Sequence, residues 1–165
     1  MPSVFIAHSS DNEAVAAGLR WVIRHRIGLN AFAASDGGPL RPDAEWWSSI
    51  RAALGEARVL LCLLNRASLQ RPWVSFGSAV FWWLEKPVIP VCFGDLRTKE
   101  LPFPFAVFQG VDLPADLYRL LLTLNEHIQP NYPMPPRKPG DPSDKALLQA
   151  LEGARFVPPF LDLMK

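Results

Sequence analysis

Six consecutive apolar residues at 59–64, Val-Leu-Leu-Cys-Leu-Leu, constrain this chain more than any other stretch. A strand with one wet face alternates apolar and polar residues, so an unbroken run requires a strand covered on both sides, as in the centre of a parallel sheet flanked by helices. The surrounding sequence supplies those helices. Residues 12–26 lead a stripe of Val15, Leu19, Val22, Ile23 and Ile27 to a C-cap at Gly28. Residues 44–57, with Asp43 as N-cap, carry Trp47, Ile50, Ala53 and Leu54 inward, and 116–128 do the same with Leu117, Leu120, Leu121 and Leu124. Residues 73–84 are apolar on nearly every side, which predicts a mostly buried helix. The segments 3–7, 29–34 and 88–93 read as further strands and 106–111 as a weaker fifth. Strands alternating with helices predict an α/β fold with a doubly wound parallel sheet and helices on both faces, because crossovers between parallel strands are right-handed.

Ligands bind such sheets beyond the carboxyl ends of the strands. The loops at 8–11, 35–43 and 65–73 would share that rim. The 17 basic residues against 16 acidic ones, a net charge of +1, give no overall field for direct nucleic-acid binding or for an anionic membrane. The apolar runs fall far short of the ~18 residues a membrane span needs. Met1-Pro2-Ser3 lacks the basic-then-apolar start of a secretory signal, which points to a cytoplasmic protein. Cys62 and Cys92 lie inside strand-like runs and read as buried free thiols, and no Cys/His spacing suits a metal. A phosphate-cradling glycine loop and a nucleophile elbow are both missing. A receiver domain would need an acid where Asn65 follows the third strand.

Proline is used about twice as often as is ordinary, and Pro130, Pro133, Pro135, Pro136, Pro139 and Pro142 predict a stiff, extended hinge. The chain then divides into a domain at 1–129, a hinge at 130–142 and a segment at 143–165. That last segment holds a short helix capped by Ser143 and an apolar stretch, 156–164, which needs either this domain or a protein partner to cover it.

Val4-Phe5-Ile6-Ala7-His8-Ser9-Ser10-Asp11, the loop 35–43 leading into Glu45-Trp46, Arg71-Pro72-Trp73-Val74-Ser75-Phe76, and Lys86-Pro87-Val88-Ile89-Pro90-Val91 occur in the order and spacing of the Toll/interleukin-receptor (TIR) domains. Over roughly residues 3–128 the chain resembles that family, its bacterial branch above all. The resemblance implies a five-stranded flavodoxin-like sheet and self-association through the loop Gly37, Gly38, Pro39, Leu40, Arg41 and Pro42. It also implies bacterial-type immune or stress signalling, either as an adaptor or by cleavage of NAD. In enzymatic members a glutamate four residues after the helix-opening tryptophan interacts with the nicotinamide ribose; four residues after Trp73 stands Gly77. Residues four apart share a helix face, so a carboxylate there would lie beside the indole. Glycine offers no anion to meet the cation that builds on the ribose as the N-glycosidic bond breaks. Ser78 is neutral and points about 100° round the helix, while Glu85 stands about 12 Å along it. The expectation is a signalling module with no secure catalytic residue and no required cofactor. NAD is then a ligand or, in an enzymatic alternative, a substrate. A third reading is a sensor that binds NAD or a cyclic derivative without turning it over.

The nucleotide-binding candidates on the rim each have a plainer role as well. Ser9 and Ser10 either hydrogen-bond a ligand or cap the first helix. His8 is either a general base or a strand-end histidine satisfied by backbone. Asp36 orients a ribose hydroxyl or nucleates the turn at Gly37-Gly38, and Arg41 and Arg71 meet phosphates or water. Trp46 and Trp73 stack on a ligand ring or pack in the core.

Overall fold

The strand at 59–64 sits where its composition requires. The computed structural model describes residues 2–36 and 43–155, and in it β3 (Val59–Leu64) is the middle of an all-parallel sheet ordered β2-β1-β3-β4-β5. Its neighbours are β1 (Val4–His8), β2 (Ala31–Ser35), β4 (Val88–Cys92) and β5 (Val111–Asp112). Side chains alternate between the faces. Val4, Ile6, Leu61 and Leu63 meet α1 (Glu13–Ile27) and α4 (Leu117–Ile128), whereas Phe5, Ala7, Leu60, Cys62 and Leu64 meet α2 (Ala44–Glu56) and α3 (Pro72–Trp83). Each leucine fully buried this way contributes roughly 1.5–3 kcal/mol. The fold is the expected doubly wound, flavodoxin-like α/β sheet.

Local signals place most boundaries. Gly28 adopts φ +70° and returns its N–H to the Arg24 carbonyl, closing α1. Asp43 accepts the Trp46 N–H at 2.8 Å and opens α2. Cys62 and Cys92 are buried free thiols, each pushed up to about 12 chiefly by burial.

Four expectations need correction. The helix α3 is not mostly buried. Its sheet-facing stripe is Val74, Gly77, Ser78 and Phe81, and a sheet covers one side only, so Phe76, Trp82 and Trp83 are left in solvent. On α2 the half-buried indole is Trp46, in phase with Ile50 and Ala53, and Trp47 is exposed rather than inward. The fifth strand shrinks to Val111–Asp112, and Phe105–Val107 forms a 3-10 turn instead. Its ladder with β4 begins only at Val91, past Pro90, which has no N–H to give. Ahead of the C-terminal helix the cap is Asp141, which accepts the Ser143 N–H at 2.9 Å and opens the 3-10 turn Pro142–Asp144 that leads into it, rather than Ser143.

The proline-rich segment is tied to α4 by an Asn125 side-chain bond to the Tyr132 carbonyl, and Met134 packs on the core. Beyond it α5 (Lys145–Arg155) lies across α1, burying Leu147 and Leu151 in the same cluster. The approach is close: a Cβ at Gly18 would stand 2.7 Å from the Leu147 Cα. The side chain of Arg26 meets Asp144 at 2.9 Å beneath it. No helix among the described residues is long and apolar enough to cross a membrane.

Candidate functional site

Three strand ends and one helix start converge on the carboxyl rim. Arg71, just before α3, spans the gap between the loops after β1 and β2: its two terminal nitrogens reach Asp36 Oδ2 at 3.0 Å and Asp11 Oδ2 at 3.1 Å. The other Asp36 oxygen accepts the Ser10 backbone N–H at 2.9 Å. Two carboxylates and one guanidinium therefore hold one another, so Arg71 is not a free phosphate contact and Asp36 does more than start a turn. These pairs are largely exposed, and each is worth at most about 1 kcal/mol. Their effect is to fix where the loop after β2 leaves the sheet.

The indole of Trp73 donates from Nε1 to the Ala34 carbonyl at 3.0 Å. Its ring lies 6.4 Å from that of Trp46 and 6.2 Å, stacked, from that of Phe76. Both candidate stacking tryptophans thus belong to one aromatic row that closes the rim of the α2–α3 face.

His8 is elsewhere. Alternation along β1 puts it on the α1 side with Ile6, where it lines a groove of about 470 Å³ with Glu13, Arg20, Trp21 and Ala33. Its Nδ1–H donates to the Ser9 carbonyl at 2.8 Å. Burial lowers its pKa below the ordinary 6.5, more than the backbone bond and the charges of Glu13 and Asp36 restore it. The unfolded chain therefore binds the proton more readily than the native one, and stability is expected to fall as pH drops below about 6.5. The slope from this one group can reach about 1.4 kcal/mol per pH unit. Urea titrations between pH 7 and 5 measure it, and His8→Gln should flatten the curve.

Ser9 is buried, and its carbonyl also takes the Asn12 N–H at 3.0 Å, opening a 3-10 turn at Ser10–Asn12. No side-chain capping bond is made at that turn or at α1, so the capping expected of Ser9 and Ser10 is a backbone matter. The pairing of buried Asn12 with Asn65 at 3.4 Å, and of Asn65 with Ser68, joins the loops after β1 and β3. Asp11, Asn12 and Asn65 are rim residues that the sequence does not single out as ligand contacts; their position close after strand-like runs is the one signal it carries. Arg41 and the loop Gly37, Gly38, Pro39, Leu40 and Pro42 lie outside the described residues.

The five-stranded parallel sheet with its helices has a counterpart among known families. The sequence model of the TIR domain matches residues 4–122, from the first residue of β1 into α4. The chain belongs to the TIR domain family. Among curated proteins no match is found. In this TIR domain α5 lies beyond the matched span, yet it shares the core of the sheet's α1 face.

Gly77 faces the sheet from the middle of α3. A Cβ there would have ordinary contacts, 3.6 Å from the Ala7 Cβ and 3.8 Å from Leu60 Cδ2. Among the described residues, the space is bounded by the domain's own core. Ser78 is also committed, donating to the Val74 carbonyl at 2.9 Å with Cys62 Sγ at 3.2 Å.

Proposed function

We propose that this TIR domain signals by self-association and partner or nucleotide binding, in a bacterial-type immune or stress response, without cleaving NAD. The observation that carries the reading is that, among the described residues, no unengaged carboxylate stands beside Trp73. Position 77 is glycine, and both oxygens of Asp36, two residues from the carbonyl that holds the indole, are engaged by Arg71 and Ser10. Loss of the single charge that counters a developing ribosyl cation costs several kcal/mol of barrier, enough to silence turnover. The loop at 37–42 is the surface proposed for self-association, anchored at its start by the Asp36–Arg71 pair.

Concentrated, assembled protein incubated with NAD is expected to release nicotinamide at the rate of buffer alone, and release well above that rate overturns the reading. Calorimetric titration with NAD separates a nucleotide-binding module from one that only binds protein. A second reading, an NAD hydrolase or cyclase, is favoured by the nearness of Asp36 to the Trp73 anchor; it requires turnover that Asp36→Asn removes.

Filling position 77 gives a separate check on its surroundings. Gly77→Ala is expected to stabilise the domain by up to about 1 kcal/mol, the helix penalty of glycine, because the added methyl meets only ordinary contacts. A rise in the urea midpoint measures it.

A further inference from the structure

Two exposed surfaces on opposite faces of the sheet have complementary chemistry. On one, the apolar side of α3 continues into a groove of about 420 Å³, walled by Ser75, Ala79 and Trp82 on the helix and by Phe103, Val107 and Phe108 on the connection from β4 to β5. Trp82 is 66% exposed, Val107 63% and Phe103 83%, and large apolar side chains gathered in one patch mark an interaction surface. Trp82 also lines the adjoining groove, which holds Glu85, an exposed carboxylate that makes no ion pair among the described residues. The cations there are engaged: Lys86 donates to the carbonyls of Leu54, Gly55 and Ala57, and Arg119 pairs with Asp116. On the other surface, residues 132–138, Tyr-Pro-Met-Pro-Pro-Arg-Lys, run without strand or helix alongside α4. Proline fixes φ near the polyproline value and presses the residue before it into the same extended region, so this strap is predisposed to three residues per turn. Tyr132, Pro135 and Lys138 then form one ridge, Pro133 and Pro136 the next, and Met134 the third. Met134 is the one packed on the core, and the residues of the other two ridges are exposed.

We infer that the 132–138 strap of one copy docks in the α3 groove of a second copy. The inference rests on the self-association reading and adds to it a contact separate from the loop at 37–42. Extended proline ridges are received by grooves lined with aromatic side chains, and this chain carries both halves of that pair. The dimensions agree: Pro133 to Pro136 advances about 9 Å along a polyproline helix, and Ser75 to Trp82 about 10 Å along α3. The charges agree as well. Lys138 follows the prolines with no carboxylate paired to it among the described residues, and Glu85 stands just past the end of α3 with no cation. The same chain does not supply the strap to its own groove. Asn125 holds the Tyr132 carbonyl at 2.9 Å and Met134 packs into the core of the α1 face, whereas Phe108 of the groove packs on the core of the α2–α3 face. Because the prolines are stiff before contact, little chain entropy is lost on docking. Each copy offers one strap and one groove, so the contact is head-to-tail and leaves a free strap at one end and a free groove at the other for further copies.

Mixing two variants of the full chain tests the assignment. Trp82→Lys spoils the groove and Pro136→Glu spoils the strap, both at exposed positions. In sedimentation velocity the concentrated wild type is expected to form species that grow with concentration, and each variant alone to stay monomeric. An equimolar mixture of the two should form a 1:1 pair that grows no further, since one good strap meets one good groove. A charge exchange reads the same contact with milder changes. Lys138→Glu and Glu85→Lys should each weaken the wild-type association about tenfold, because each replaces an attraction with a repulsion. Combined in one chain they should restore it. A mixture that stays monomeric, or a double charge variant no better than the single ones, overturns the inference. Variants that associate as well as the wild type also overturn it but leave self-association through another surface standing, whereas a wild type that stays monomeric overturns both.

Discussion

Exchanging Arg26 for methionine is expected to lower the unfolding free energy by about 3–5 kcal/mol, the cost of leaving one member of a buried ion pair without its partner. Arg26 and Asp144 are 8% and 12% exposed and meet at 2.9–3.0 Å through both carboxylate oxygens. Asp141 stands 3.7 Å from the same guanidinium, so one cation serves two carboxylates at the turn before α5. The methionine keeps the apolar stem of the arginine, which separates loss of charge from loss of packing. Asp144→Leu added to Arg26→Met should recover much of the loss, since an apolar pair of similar size is often as stable as a buried ion pair. Urea denaturation of the three proteins at pH 7 measures this, and additive losses in the double variant would assign the effect to packing. Acid acts on the same corner. The Asp141 carboxyl is held below its usual 3.8 first by the Ser143 backbone N–H and then by its side chain, with Arg26 a smaller influence. Its stabilising contribution is therefore present above that value and lost as pH falls through the lower native one.

Gly18→Val should cost about 3 kcal/mol and release α5 from α1 while leaving the sheet intact. Any Cβ at position 18 would lie 2.7 Å from the Leu147 Cα and 2.9 Å from its nitrogen. Both are backbone atoms, so no rotamer change relieves the clash and α5 must move as a unit. Overpacking of this kind costs about 1–3 kcal/mol, and a branched side chain in a rigid helix–helix contact belongs at the upper end. Hydrogen exchange should then show fast amides at 145–155 against slow ones in β1 and β3. Gly55→Ala in α2 is the control: no described residue beyond its own helix lies within 4 Å of the added methyl, so filling this glycine should stabilise by about 1 kcal/mol. Together the two variants test whether the helix beyond the TIR match is part of the domain's stability.

These two sites show how differently parts of the molecule could be read from the chain. The sheet was legible because its strands are short apolar runs separated by cap signals, and Gly28 and Asp43 act where they stand. The fifth strand was less so, because Pro90 sets its start from a neighbouring strand rather than from its own residues. On the rim, the side on which His8 lies follows from strand alternation, but the face that alternation selects is known only once the helices are placed. The Arg71 clamp joins residues separated by 35 and 60 positions, and no local pattern announces such a pair.

By itself the sequence determined the parallel α/β architecture, the order of its elements, the TIR resemblance and the lack of a carboxylate at position 77, because these depend on periodicity, caps and residue identity along the chain. Only the tertiary structure decided which side of α3 stays in water, that Arg71 is already occupied, and that α5 completes the α1 face. Those outcomes depend on which surfaces meet when distant segments pack, since a helix apolar all round can still offer only one stripe to a sheet.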